Sequence, residues 1–179
     1  NPYYVPTGEI TQRTGSLDPM FRKVANCWRF EPAIYGPLWT SICTVLSGLS
    51  FGNLDLALLI YKLANTIVHI INCILIYKIT KKKLFVVLYG LNPFILFEAI
   101  ANAHNDIYMI FFILFAIYFI TKKKNIWIAV AFLAMATAVK YLAILLLPFL
   151  VIYHVREKDI KGRIKYCVLA GIEYIAILA

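Results

Sequence analysis

Long apolar segments separated by short basic clusters dominate the chain after residue 53. The segment from Leu54 to Ile79 is long enough to span a membrane as one helix. The segment from Leu84 to Ile120 is long enough for two spans, and a polar stretch, Asn102 to Asp106, lies near its middle. Asn125 to His154 is a second, shorter segment with Lys140 at its midpoint. The pattern predicts one spanning helix followed by two helical hairpins.

The first 53 residues have a different pattern. Residues 1 to 35 are polar and contain several prolines and glycines, which is typical of a loop. In residues 38 to 51, apolar side chains fall on one side of a helix, and serine, threonine and glycine fall opposite. The apolar positions are Leu38, Ile42, Val45, Leu46 and Leu49. Such an amphipathic helix is expected to lie in the membrane interface rather than to span it.

Composition and charge support a membrane protein and give its orientation. The chain is 62% hydrophobic and carries a net charge of +9. Its bases concentrate between apolar segments, at Lys78 to Lys83, Lys122 to Lys124 and Arg156 to Lys165, as the positive-inside rule requires of cytoplasmic loops. The charge therefore indicates orientation, and no nucleic-acid partner is expected. With these clusters inside, residues 1 to 53, the stretch around Asp106 and Lys140 all lie at the outer face.

These patterns predict an all-α fold, a polytopic membrane helix bundle that places the chain in the cell membrane as a multi-pass protein. Residues 1–179 are expected to form part of one transmembrane domain. Residues 1–53 supply the extracytoplasmic first loop and the interfacial helix, and residues 54–179 supply the transmembrane helices. Because the chain has no start methionine and ends within an apolar run, we expect it to be a segment of a longer protein.

Candidate chemistry concentrates around Asp106. His104 and Asn105 precede it, and Glu98 lies two turns earlier at the end of an apolar helix. Ionisable residues at membrane depth are candidates for a functional site. The alternative is structural, because Asn105 or Asp106 could simply cap the helix that begins near Ile107. The sequence leaves both interpretations open.

Two further polar features have a structural and a functional interpretation. Lys140 could extend its charge to the membrane surface, or it could bind a phosphate as a compact cation. Asp55, Lys62, Asn65, His69 and Asn72 share one face of the Leu54 to Ile79 helix. Such a stripe most often joins helices through hydrogen bonds. A transporter would instead use it as part of a polar route.

Several motifs occur in the order found in one family. "NPYYVP" (residues 1–6) and "YGPLW" (35–39) resemble the first extracytoplasmic loop of GT-C membrane glycosyltransferases. "LNPFILFEAIANAHNDIYM" (91–109) resembles the proline, glutamate and His-Asn-Asp signature of polyprenyl-phosphate-mannose-dependent α-mannosyltransferases. "ATAVKYLAILLLPFLVIY" (136–153) resembles their lysine-bearing hairpin. The resemblance extends from Asn1 to about Tyr153.

The resemblance implies a hexosyltransferase that moves a sugar, expected to be mannose, from a polyprenyl-phosphate donor to a glycan or lipid acceptor at the outer face. Asp106 matches the second catalytic carboxylate of the family, and His104 accompanies it. The substrate contacts are expected to be Glu98, Asn105, Lys140, Tyr3 and Tyr35. The first family carboxylate would precede Asn1, so these 179 residues alone are expected to be inactive.

Other functions stay open at this point. A transporter or flippase of lipid-linked glycans, or a non-catalytic membrane scaffold subunit, would show the same hydrophobic pattern. Membrane lipids are expected partners in every case. No protein metal site is predicted, although a divalent cation, Mg²⁺ or Mn²⁺, could bridge Asp106 and the donor phosphate.

Overall fold

The computed structural model describes residues 9, 30–31, 33–156 and 160–178. The chain divides into two compact units, residues 1–35 and residues 36–179. The helices and the candidate site considered below belong to the second unit. Within the described residues, the secondary structure is helical and contains no strand, in agreement with the predicted all-α class.

The helices of the second unit are numbered here in chain order. They are α1 (Pro37–Gly48), α2 (Leu54–Thr80), α3 (Lys83–Gly90), α4 (Pro93–Ile95, continuing as a π-helical turn, Leu96–Ala101), α5 (Asp106–Lys122), α6 (Ile126–Val139), a 3₁₀ helix (Tyr141–Leu146), α7 (Leu147–Val155) and α8 (Ile160–Leu178).

Asparagine side chains begin three of these helices. The Asn53 side chain accepts a hydrogen bond from the Leu56 N–H at the start of α2. Asn92 does the same for Phe94 at the start of α4, and Asn125 does so for Ile128 at the start of α6. Asparagine is among the preferred N-cap residues because its side chain satisfies a backbone N–H that has no partner within the helix. These local signals set the helix boundaries that the apolar segments alone do not define.

Helix α6 forms the centre of the unit. It packs most extensively against α5 and α8, and it also contacts α1, the 3₁₀ helix and α7. Small side chains let its neighbours approach closely, since Ala129, Ala134 and Ala136 are fully buried. On one side the Phe132 ring stacks on Phe115, with ring centroids 4.9 Å apart. This core determines where the end of α6, and therefore Lys140, is placed.

One helix in the described part of the chain, α2, is long and apolar enough to cross a membrane. The pair α3 and α4 would be a second if it counts as one span, although it bends by 46°. Helix α5 has 17 residues and α6 has 14, about 26 and 21 Å at 1.5 Å per residue. Both are shorter than a hydrocarbon core of about 30 Å. The structure thus supports the predicted span at α2.

The predicted hairpins appear with modifications. The first has its polar turn between α4 and α5, but its leading arm is broken at Leu91 and Asn92, where proline follows and α4 begins. The second reverses at Lys140, between α6 and the 3₁₀ helix. The predicted amphipathic segment is helix α1, and its side chains Leu38, Trp39 and Ile42 pack against the core. Val45 and Leu49 are instead exposed.

Candidate active site at the ends of two hairpins

A short turn connects the π-helical end of α4 to α5. The Asn102 N–H donates to the Phe97 carbonyl at 2.9 Å, and the His104 N–H donates to the Glu98 carbonyl at 3.0 Å. Ala103, between them, takes a left-handed backbone conformation with φ 52°. π-Helical turns occur frequently at functional sites, because they rotate side chains out of the regular register. The turn returns the chain so that Asp106 begins α5 beside Glu98.

The Asp106 carboxylate joins the two hairpins. Its Oδ1 accepts a hydrogen bond from Lys140 Nζ at 2.6 Å, and its Oδ2 lies 3.0 Å from His104 Nδ1. The three side chains are partly exposed, at 41% for Asp106, 37% for His104 and 32% for Lys140. A short bond between ionised partners is among the stronger hydrogen bonds in proteins. The structure therefore brings together three residues that the sequence places in two separate segments.

Lys140 is held where α6 ends. Its backbone is extended, with φ −148° and ψ 120°, and its N–H donates to the Ala136 carbonyl at 3.0 Å. The next six residues continue as the 3₁₀ helix. This break turns the Lys140 side chain towards Asp106 and gives its charge a partner. Extension to the membrane surface and phosphate binding, the two interpretations of this residue, both stay predictions.

Gly36 supports this arrangement from the other side. Its N–H donates to the Val139 carbonyl at 3.1 Å, one residue before Lys140. A Cβ atom at position 36 would lie 2.1 Å from the Ala138 carbonyl oxygen. A separation this short is repulsive, so a residue with a side chain cannot take this place without moving the backbone. Glycine therefore lets the start of α1 dock directly against the end of α6.

A small cavity of about 180 Å³ opens beside the carboxylate. Its wall includes Glu98, His104 and Asp106, and its remaining lining is largely apolar. The other lining residues are Tyr89, Phe94, Ile95, Ala99, Ile107 and Ile110. Ligand pockets usually measure about 300–1,000 Å³, so this cavity has room for a part of a substrate. An apolar wall with convergent ionisable groups is typical of a binding site.

The remaining predicted residues have different positions. Asn105 is 3% exposed, and neither its amide oxygen nor its amide nitrogen has a hydrogen-bond partner. It occupies the N-cap position of α5, but its side chain makes no capping bond, so the capping interpretation is wrong for Asn105. Tyr35 is partly buried within the first unit. Tyr3 lies outside the described residues.

The polar stripe of α2 joins helices, as predicted, through three of its five members. The Asn65 side chain donates to the Ala99 and His104 carbonyls, and the His69 ring to the Gly90 carbonyl. Asn72 donates to the Tyr89 hydroxyl and the Ile107 carbonyl. Asp55 and Lys62 are exposed and are not part of this contact.

Sequence reasoning missed the apolar wall of the cavity and the role of Gly36. Tyr89, Phe94 and Ile110 are ordinary membrane-segment residues in the sequence, and no local signal distinguishes them. Gly36 did stand in a motif, "YGPLW", but that motif supported only the family resemblance and gave no role to the glycine. Their roles depend on the way that α1 and α4 pack against the ends of α5 and α6.

A comparison with protein families gives a match. The model described as "Alpha-(1->6)-mannopyranosyltransferase, N-terminal domain" matches residues 1–156. Curated proteins and solved structures give no match. The matched range contains every residue of the candidate site, from Gly36 through Asp106 to Lys140. The chain therefore belongs to the alpha-(1->6)-mannopyranosyltransferase family, of which it carries the N-terminal domain.

Proposed function

We propose that this chain forms part of a membrane mannosyltransferase of GT-C type whose site faces the extracytoplasmic side. The donor is a polyprenyl-phosphate sugar, and the acceptor is a hydroxyl of a glycan or lipid. Asp106 receives the acceptor proton, His104 orients Asp106, and Lys140 binds the donor phosphate. The observation that carries this proposal is the contact of Lys140 and His104 with the two oxygens of the Asp106 carboxylate beside a small cavity.

The proposed reaction needs opposite charges close together. The acceptor oxygen bonds to the anomeric carbon as the bond from that carbon to the phosphate oxygen breaks, and the bonding electrons leave with the lipid phosphate. A carboxylate that takes the hydroxyl proton contributes about 10²–10⁴-fold to such a step. A cation beside the leaving phosphate stabilises its developing charge. Asp106 supplies the carboxylate, and Lys140 supplies the cation.

Exposure of the pair favours a catalytic role over a purely structural one. A buried ion pair that only holds helices together would exclude water, whereas 32% of the Lys140 side chain and 41% of the Asp106 side chain remain accessible. A donor phosphate can therefore reach Lys140 and replace the carboxylate as its partner. The freed carboxylate would then be available to the acceptor.

The outward surface of α2 supports placement in a membrane. Its apolar side chains away from the bundle are about half exposed, among them Leu58, Leu59, Leu63, Ile67, Ile70 and Ile74. A continuous apolar helix face without a protein partner is typical of contact with lipid. The basic clusters at Lys81 to Lys83 and Lys122 to Lys124 follow α2 and α5, at the ends opposite the Asp106 turn.

A transporter is less well supported than an enzyme. Asn65, His69 and Asn72 are buried and bonded to neighbouring helices, so their polar groups are not arranged along an open route.

The proposed reaction does not include a divalent cation bound by the protein alone. The described residues contain no group of three His, Cys, Asp or Glu side chains that could hold a metal ion. Mg²⁺ or Mn²⁺ bridging Asp106 and the donor phosphate stays a prediction.

The test uses the full-length protein in membranes and a polyprenyl-phosphate mannose donor. Asp106→Asn is expected to lower kcat by about 10²–10⁴-fold, because the amide keeps the shape and loses the base. Asp55→Asn is the matched control. Asp55 is exposed and lies in the first turn of α2, the same helix position that Asp106 has in α5. Normal turnover by Asp106→Asn, at equal expression, would contradict the proposal.

A further inference from the structure

Asn65 makes two hydrogen bonds to the backbone that surrounds the candidate site. It lies in the middle of α2 and is 0% exposed. Its Nδ2 donates to the Ala99 carbonyl at 2.6 Å and to the His104 carbonyl at 3.1 Å. A side-chain amide nitrogen carries two hydrogens, so both are used. One side chain thereby binds the backbone on each side of the turn that leads to Asp106.

The two acceptors need an outside donor because of the local backbone. The turn after the π-helical segment is closed by bonds to Phe97 and Glu98, donated by Asn102 and His104. The first bond of α5 runs from Tyr108 to Asn105. Asn65 supplies a donor to the carbonyls that lie between these bonds. A buried carbonyl without a donor is unfavourable, so loss of Asn65 should loosen this turn in particular.

The two hydrogen bonds donated by Asn65, called the clamp from here on, hold the backbone close to the candidate catalytic residues. Ala99 directly follows Glu98, and His104 lies two residues before Asp106, so the clamp spans the segment between the two carboxylates of the cavity wall. It also holds the backbone of His104, whose ring contacts Asp106. A shift of about 1 Å in a reacting group can lower a rate by about 10²-fold.

We propose that Asn65 is a positioning residue of the transfer site, which sets the separation of Glu98, His104 and Asp106 through the backbone and touches no substrate itself. This inference rests on the proposed function for its activity readout. Its structural readout is independent of that function.

Asn72 offers a matched control on the same helix. It is also 0% exposed and donates two hydrogen bonds, but its acceptors are the Tyr89 hydroxyl and the Ile107 carbonyl within α5. Leucine has the same branching as asparagine and no donor. Each of these two residues therefore loses two hydrogen bonds donated from α2 when it is changed to leucine. Only Asn65→Leu loses hydrogen bonds to the turn that leads to Asp106. Asn65→Ala covers the case in which leucine does not fit.

The experiment compares these variants in the full-length protein in nanodiscs. Hydrogen–deuterium exchange of the peptide covering residues 96–106 should accelerate roughly 10-fold or more in the Asn65 variants and stay near the wild-type rate in Asn72→Leu. At equal thermal stability, kcat should fall by roughly 10–100-fold in the Asn65 variants with little change in the donor KM.

Each outcome decides one question. Unchanged exchange in the Asn65 variants overturns the inference whatever happens to activity. Faster exchange with a wild-type kcat overturns it as well, because Asn65 would then only join helices. An active Asp106→Asn protein overturns the proposed function alone, and the exchange comparison still decides whether Asn65 holds the turn.

Discussion

Two groups of polar side chains interrupt these apolar helices, and they are built in opposite ways. At the ends of the hairpins, the ionisable residues His104, Asp106 and Lys140 contact one another and are 32–41% exposed. Along α2, Asn65 and Asn72 are fully buried and donate chiefly to backbone carbonyls. The first group can exchange its partners for a ligand. The second has permanent partners and holds the scaffold.

The difference shows that polarity within an apolar segment does not by itself mark a functional site. A neutral amide satisfies a backbone carbonyl without burying charge, so it can join helices at depth. A lysine and an aspartate at depth would carry a large desolvation penalty, and the structure pairs them and leaves 32% and 41% of their side chains exposed. Exposure and charge together therefore separate the candidate site from the scaffold.

The largest effect is expected when one measures on which side of the membrane each residue lies, because that result is all-or-none. In a cysteine-free background, Asn102→Cys should react with an impermeant thiol reagent in intact cells, because the hairpin ends are proposed to face outwards. Lys82→Cys should react only after the membrane is opened, because basic clusters are retained in the cytoplasm. Reaction of Lys82→Cys with no reaction of Asn102→Cys in intact cells would invert the topology and remove the site from the outer face.

A change at Lys140, in the exposed group, should alter the donor KM, whereas a change in the scaffold should not. Lys140→Met is expected to raise the donor KM by roughly 10–100-fold, since hydrogen bonds to charged groups contribute about 1.5–3 kcal/mol. Lys140→Arg should retain part of the affinity because it keeps the charge and changes the geometry. Lys62→Met, at an exposed lysine of α2, serves as the control. Equal donor KM values for the two methionine variants would leave Lys140 with a structural role.

Gly36 should be the most sensitive support of the hairpin ends. Gly36→Ala places a methyl group against the Ala138 carbonyl, and such overpacking typically lowers the free energy of unfolding by about 1–3 kcal/mol. Gly48→Ala, at the other end of α1, meets no atom within 4 Å and is the matched control. Thermal unfolding of the two purified variants measures the difference. Equal stability would mean that α1 does not dock closely on α6.

The smallest effect is expected within the scaffold. His69→Phe keeps a ring that can stack on Tyr89 and removes the donor to the Gly90 carbonyl. Buried polar bonds between membrane helices contribute on average about 0.6 kcal/mol and at most about 1.7 kcal/mol, so a loss in this range is expected without a change in kcat. Thr66→Val, which loses a bond within α2 only, is the control. A large fall in kcat for His69→Phe would mean that His69 contributes to the candidate site and not only to helix packing.

The sequence alone determined the features that depend on local patterns. The length and apolarity of Leu54 to Ile79 predicted α2, and the lone charge of Lys140 marked the point where the second hairpin turns. The spacing of Asn65, His69 and Asn72 predicted a face that joins helices, because residues three and four positions apart lie on the same side of a helix. Each of these inferences needs only the helical period and the cost of polar groups in an apolar environment.

Only the tertiary structure decided which distant residues meet. Lys140 lies 34 positions after Asp106, and no periodic pattern connects two segments of that separation. Their contact arises because α5 and α6 pack side by side, with the start of α5 next to the end of α6. Gly36 also allows α1 to dock against the end of α6. The first hairpin likewise breaks at Asn92, close to the Gly90 carbonyl that His69 binds from α2. The turn after the π-helical segment carries the Ala99 and His104 carbonyls, which Asn65 binds from α2. Such partners come from packing, which a linear pattern does not encode residue by residue.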